Sequence, residues 1–147
     1  MVWACFSYHG IGKLVFVEEN INSLKYQQIL VENLVNSAKM MGIQDFIFQQ
    51  DNAPAHSSKL IKKYFEENQI KLLPWPAQSP DLNPIENLWG IISSKLSERT
   101  INSTQNLKQE IMNIWGNIDK TTLKNLVYSM PNRLREVISN KGKNIRY

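Results

Sequence analysis

Alternating strand and helix signals from Lys13 to Leu73 predict an α/β layer architecture with some parallel strand pairing. Three observations carry that expectation. The chain opens with β-prone residues interrupted by glycine, continues with a long segment of helical apolar spacing, and then sets two short apolar runs on either side of a second helix.

Val2-Trp3-Ala4-Cys5-Phe6-Ser7-Tyr8 is β-prone, and Lys13-Leu14-Val15-Phe16-Val17 resumes that character after His9-Gly10-Ile11-Gly12. The pair reads as a hairpin whose glycines permit the turn. From Ser23 to Met41, Leu30, Leu34 and Met41 recur at helical spacing beside Val31, Val35 and Ala38, and Gly42 can end the helix. Phe46-Ile47-Phe48 suits a short buried strand that delivers Asp51 at its carboxy-terminal end. Pro54 breaks the chain, Ser57 or Ser58 can cap, and Leu60, Ile61, Tyr64 and Phe65 mark one face of the next helix. Ile70 to Leu73 is another brief strand, halted by Pro74-Trp75-Pro76.

Helices then take over. Asn83 can cap, Pro84 suits the first helical position, and Ile85, Leu88, Trp89, Ile92 and Leu96 form a stripe. Ser103 introduces a helix bearing Leu107, Ile111, Ile114, Trp115 and Ile118. Two further segments, Thr121 to Met130 and Asn132 to Asn140, are separated by Pro131, which should break or kink the rod. No repeat or linker divides residues 1–147, so one domain is expected.

The composition is that of a globular chain, with 42% hydrophobic and 20% charged residues among 147. A single cysteine, Cys5, excludes a disulfide framework and a cysteine zinc site. No apolar run is long enough to cross a bilayer, so a soluble intracellular protein without a membrane partner is expected. The net charge of +4 is uneven: Arg133, Arg135, Lys141, Lys143 and Arg146 face only Glu136 in the last sixteen residues. That basic end is a candidate for DNA phosphate contacts, with a solvated tail as the plainer reading. No P-loop, dinucleotide fingerprint, nucleophile elbow or helical zinc motif occurs, so no nucleotide cofactor is expected.

Two acids stand out by their settings. Asp51 follows a strand at a proline-containing turn, and Glu86 opens a helix in Ser79-Pro80-Asp81-Leu82-Asn83-Pro84-Ile85-Glu86-Asn87-Leu88-Trp89. Strand ends and neighbouring helix starts are where α/β folds bind ligands, and two carboxylates there could hold a divalent cation against a phosphodiester. The plainer alternatives are an Asx turn for Asp51 and a capping box between Asn83 and Glu86. Asn52, His56, Asp81 and Asn83 are candidate neighbours of such a site. A polar group near a helix start suffices to explain His56, and a loop hydrogen bond suffices for Asp81. Trp89 belongs by periodicity to a helical core, whereas Trp75, between two prolines, stays open as a base-stacking surface.

Phe48-Gln49-Gln50-Asp51-Asn52-Ala53-Pro54-Ala55-His56 and the motif from Trp75 to Trp89, with 34 residues between Asp51 and Glu86, resemble the catalytic domain of mariner-superfamily DNA transposases. The likeness is to the branch whose acidic triad ends in glutamate, and Val2 to Ser7 and Ser129 to Leu134 share it. The resemblance implies an RNase H-like mixed sheet with flanking helices. It also implies that Asp51 and Glu86 are catalytic ligands for two Mg²⁺ or Mn²⁺ ions. Double-stranded DNA at transposon ends and target sites would be the substrate, and the nucleus the compartment.

The family's first catalytic aspartate lies on a central strand preceding the segment that begins at Met1. This chain is therefore expected to be a partial catalytic domain lacking that strand, impaired or inactive alone. A noncatalytic DNA-binding or oligomerisation module derived from a transposase is the alternative. Unpaired edges left beside a missing strand are costly. The hairpin is thus expected either to close directly against Phe46 to Phe48 or to exchange strands in a homodimer.

Overall fold

The computed structural model describes residues 1–143 and 145. The hairpin forms from β1 (Val2–Ser7) and β2 (Gly10–Phe16), antiparallel, with Trp3 opposite Val15 and Ser7 opposite Gly10. The turn residues are Tyr8 and His9, so the glycines lie within β2 rather than in the turn. Gly12 has a different reason to be glycine. A Cβ there would stand 2.6 Å from Cys5 Sγ and 2.7 Å from Ser37 Cβ, because the hairpin lies directly on the first helix. Lys13 N–H donates to Ser37 Oγ at 3.0 Å, and Trp115 Nε1–H donates to the Gly12 carbonyl at 2.9 Å.

Helix α1 (Ser23–Met40) is capped by Asn22, whose side chain accepts from Lys25 N–H. Gly42, at φ 72°, closes it, with Gly42 N–H donating to Lys39 O and Ile43 N–H to Ala38 O. Its buried face runs through Tyr26, Ile29, Leu30, Leu34 and Ala38, whereas Val31 and Val35 turn out to be exposed. Strand β3 (Ile47–Phe48) and strand β4 (Lys71–Leu72) pair in parallel around helix α2 (Lys59–Glu67), which Ser58 caps. A 3₁₀ turn, Pro80–Leu82, leads into α3 (Pro84–Ser97). Ser103 caps α4 (Thr104–Gly116), and Asp119 caps α5 (Lys120–Ser139).

Because successive strand residues point to opposite faces, the hairpin serves two cores. Trp3 and Val17 join Tyr26, Ile29, Leu30, Ile61, Tyr64 and Phe65 on the α1 and α2 side. Ala4 joins Leu88, Ile92, Ile114, Trp115 and Leu123 on the side of α3, α4 and α5. Trp89 packs against this second cluster and stacks on Trp115 with ring centroids 5.8 Å apart, as its periodicity predicted.

Three further expectations are corrected. Pro131 does not break α5: residues Lys120 to Ser139 form one helix. The Arg133 side chain beyond the proline is tied to the chain at Asp81 and Asn87, which holds the second half in line. Ile47, expected to be buried, is 61% exposed. The hairpin does not close against β3, for β1–β2 and β3–β4 are separate two-stranded sheets. A cavity of about 860 Å³ lies between them, walled on one side by β1 and on the other by Phe46, Ile47 and Phe48. Apolar packing of the hairpin on α1 and on α3 to α5 fixes its place without pairing to β3. Among the described residues, no helix is long and apolar enough to cross a membrane.

Candidate active site

Asp51 leaves the carboxy-terminal end of β3 and folds back on its own turn. Its Oδ1 accepts from Ala53 N–H at 3.0 Å, the Asx turn anticipated from sequence, and from His56 Nδ1–H at 2.6 Å. The same oxygen serves both contacts, while Oδ2 has no hydrogen-bond partner among the described residues. Asp51 is 56% exposed at the side chain and His56 22%.

His56 is itself held. Its ring lies 4.0 Å, centroid to centroid, from that of buried Tyr26. Tyr26 donates to Gln50 Oε1 at 2.8 Å, and Gln50 Nε2 donates to the His56 carbonyl at 3.1 Å. Burial pushes the Tyr26 phenol well above the ordinary tyrosine range, so it acts as a neutral donor. His56 is thus a prop for Asp51, and Asn52 fastens the same loop by donating to the Trp75 carbonyl at 2.8 Å.

Glu86 reaches the cavity from the first turn of α3. The capping box is not formed: Asn83 N–H donates to Pro80 O, and no side chain caps this helix. Instead Asn83 Nδ2 sits 3.5 Å from Glu86 Oε1, and Asn83 Oδ1 accepts from Gln49 Nε2 at 3.0 Å. Gln49 to Asn83 to Glu86 therefore bridges the strand end that bears Asp51 and the helix start that bears Glu86. Partial desolvation first, and the negative charge of Asp51 second, raise the Glu86 carboxyl above the usual glutamate value. Two acids set so that one raises the other form a place where a cation would relieve both.

The remaining candidates separate. Asn83, His56, Trp75 and Trp89 line the same cavity as the two acids. Asp81 does not: its Oδ2 accepts from Ile145 N–H at 2.8 Å, the loop hydrogen bond that its position suggested. Arg133 contradicts its expected role as a phosphate contact, being only 1% exposed and hydrogen-bonded within the protein. Arg135, Lys141 and Lys143 are exposed, and Arg146 lies outside the described residues. Gln49, Gln50 and Tyr26 went unassigned in the sequence. For the two glutamines the only signal is a pair of amides between the apolar strand β3 and Asp51, and Tyr26 on α1 carries none.

The donor set suits Mg²⁺ or Mn²⁺, which take carboxylate oxygens. It is also short of a full site, for among the described residues no three acidic, histidine or cysteine side chains gather as metal ligands.

An α/β layering with two acids lining one cavity defines the class, an RNase H-like fold. Residues 1–108 match the DDE superfamily endonuclease family, and the chain belongs to it. It is 42% identical over its whole length to the Tc3 transposase of Caenorhabditis elegans, covering 45% of that protein. It is 33% identical to the Tc1 transposase of the same organism, covering 54%. The chain thus spans about half the length of these curated relatives. The structure of the Mos1 transposase catalytic domain with raltegravir and Mn superposes with a TM-score of 0.85 at 21% identity, over 99% of this chain and 82% of that one. The Mos1 strand transfer complex gives 0.83 at 25% identity, over 99% and 43%. The fold is that of a Tc1/mariner-type catalytic domain.

Proposed function

We propose that this chain contributes two carboxylates, Asp51 and Glu86, to a divalent-metal site for cleaving and joining DNA strands at transposon ends. The observation that carries this reading is their convergence on one cavity, with Glu86 raised in part by the charge of Asp51. A bound Mg²⁺ or Mn²⁺ would lower the pKa of attacking water and stabilise the leaving oxygen.

The chain's own residues do the positioning. His56 and the Ala53 amide hold Asp51 Oδ1, leaving Oδ2 to face a ligand. The Gln49–Asn83 bridge keeps the helix start of Glu86 in register with β3. A further ligand would come from an extended segment seated in the cavity between β1 and β3, where it could pair with both strands. Two carboxylates without a further oxygen ligand hold such a cation weakly. Duplex DNA, a paired copy of the chain and nuclear residence belong to the same reading.

Mn²⁺ titration followed by electron paramagnetic resonance tests it, with nicking of supercoiled plasmid as a second readout. Binding should be lost in both Asp51→Asn and Glu86→Gln. The exposed Arg135, Lys141 and Lys143 favour a second reading, a noncatalytic DNA-binding module. Salt-sensitive DNA binding, with any Mn²⁺ uptake indifferent to both acid substitutions, would establish that reading instead.

A further inference from the structure

We infer that Arg133 is a positioning residue for Glu86, acting from α5 on the chain at both sides of that carboxylate. The inference rests on the reading of Glu86 as a cation ligand. The guanidinium is 1% exposed, among the least accessible side chains of the protein. Its Nε–H donates to Ser129 Oγ at 2.9 Å, one turn back on its own helix. The two remaining arms leave α5: Nη1–H donates to the Asp81 carbonyl and Nη2–H to Asn87 Oδ1, each at 2.8 Å.

Those two acceptors bracket Glu86. Asp81 lies in the 3₁₀ turn that feeds α3, and Asn87 is the residue after Glu86. A planar fork that reaches both fixes the spacing between turn and helix, which a lysine ammonium on a flexible stem cannot do. Asp81 is tied a second time, through Oδ2 to the Ile145 amide. The α3 start carries no side-chain cap of its own, so its placement depends on these contacts and on Asn83. A buried cation is costly unless satisfied, and here satisfying it orients the segment that carries a site carboxylate. Groups that orient a ligand in this way typically change metal affinity by about 10- to 100-fold when removed.

The test uses the full chain, Mn²⁺ alone and electron paramagnetic resonance, at a temperature well below the melting transition of each variant. Arg133→Met should weaken Mn²⁺ binding by about 10- to 100-fold. Arg133→Lys should stay impaired, because it keeps the charge and loses the fork. Neither should change the salt dependence of duplex DNA binding, whereas loss of a phosphate contact would reduce that slope by about 0.9.

A folded Arg133→Met that binds Mn²⁺ like the parent overturns the inference, and so does a reduced salt slope. If Arg133→Met does not fold, Asn87→Ala cuts the arm beside Glu86, and unchanged Mn²⁺ affinity there overturns it equally. Failure of the underlying reading shows separately, as Mn²⁺ binding in the parent that Glu86→Gln leaves intact, and it removes the inference as well.

Discussion

Asp51 and Glu86 reach the same cavity by opposite routes. Asp51 is held by neighbours two and five residues away, Ala53 and His56, within one turn of chain. Glu86 depends on residues far from it in sequence: Gln49 acts through Asn83, and Arg133 acts through Asp81 and Asn87. A locally held carboxylate keeps its geometry as long as its loop survives. A remotely held one reports on the packing of the whole domain, and damage far from the cavity should be felt first at Glu86.

The sharpest way to break that contrast is Leu88→Ala, which empties a fully buried position two residues beyond Glu86. It should cost about 2–5 kcal/mol in urea unfolding. Mn²⁺ affinity should fall with it even under conditions where the variant is folded. A variant that loses the stability and keeps the affinity would show that α3 is not what places Glu86.

Next in size is Asn83→Ala, which removes the bridge to Gln49. About 1 kcal/mol of stability should go with one hydrogen bond. The affinity loss, measured by the same titration, should exceed that of Asn52→Ala, which loosens only the Asp51 loop. His56→Ala sharpens the local side of the comparison. It removes a ring packed 4.0 Å from that of Tyr26, worth about 0.5–1.5 kcal/mol by thermal melting, yet Asp51 keeps its Ala53 contact and should retain most of its contribution to Mn²⁺ binding.

The smallest effect is electrostatic. Glu86 has a raised pKa in the folded state, so the unfolded chain holds its proton less tightly. Its effect on stability is neutral below the ordinary glutamate pKa and becomes unfavourable as pH rises through the raised value. Without metal, Glu86→Gln should therefore be slightly more stable than the parent at neutral pH, by less than about 1 kcal/mol given its exposure. That gain should vanish near pH 4, as urea titrations at the two pH values would show.

What sequence made visible follows the same local and remote division. The Asp51 turn was readable because its partners sit beside it, and the helices because apolar spacing repeats every turn. Arg133 was misread because a basic run near the chain's end looks like a phosphate contact. Its acceptors, Asp81 and Asn87, lie 52 and 46 residues away and carry no signal that they will meet it. Gly12 was assigned to a turn for a similar reason, since the helix that crowds it begins eleven residues later and approaches only in three dimensions. The separation of the two sheets was equally hidden. Pairing between strands is decided by where helices press them, and strand propensity does not record that.

The margin of β1 turned away from β2 offers backbone donors and acceptors along six residues. A margin of that kind is a template for any extended peptide. As concentration rises, association between copies should begin along Val2 to Ser7. A lysine introduced at Val2, half-buried at the start of that margin, is the modest kind of change by which proteins keep such templates apart.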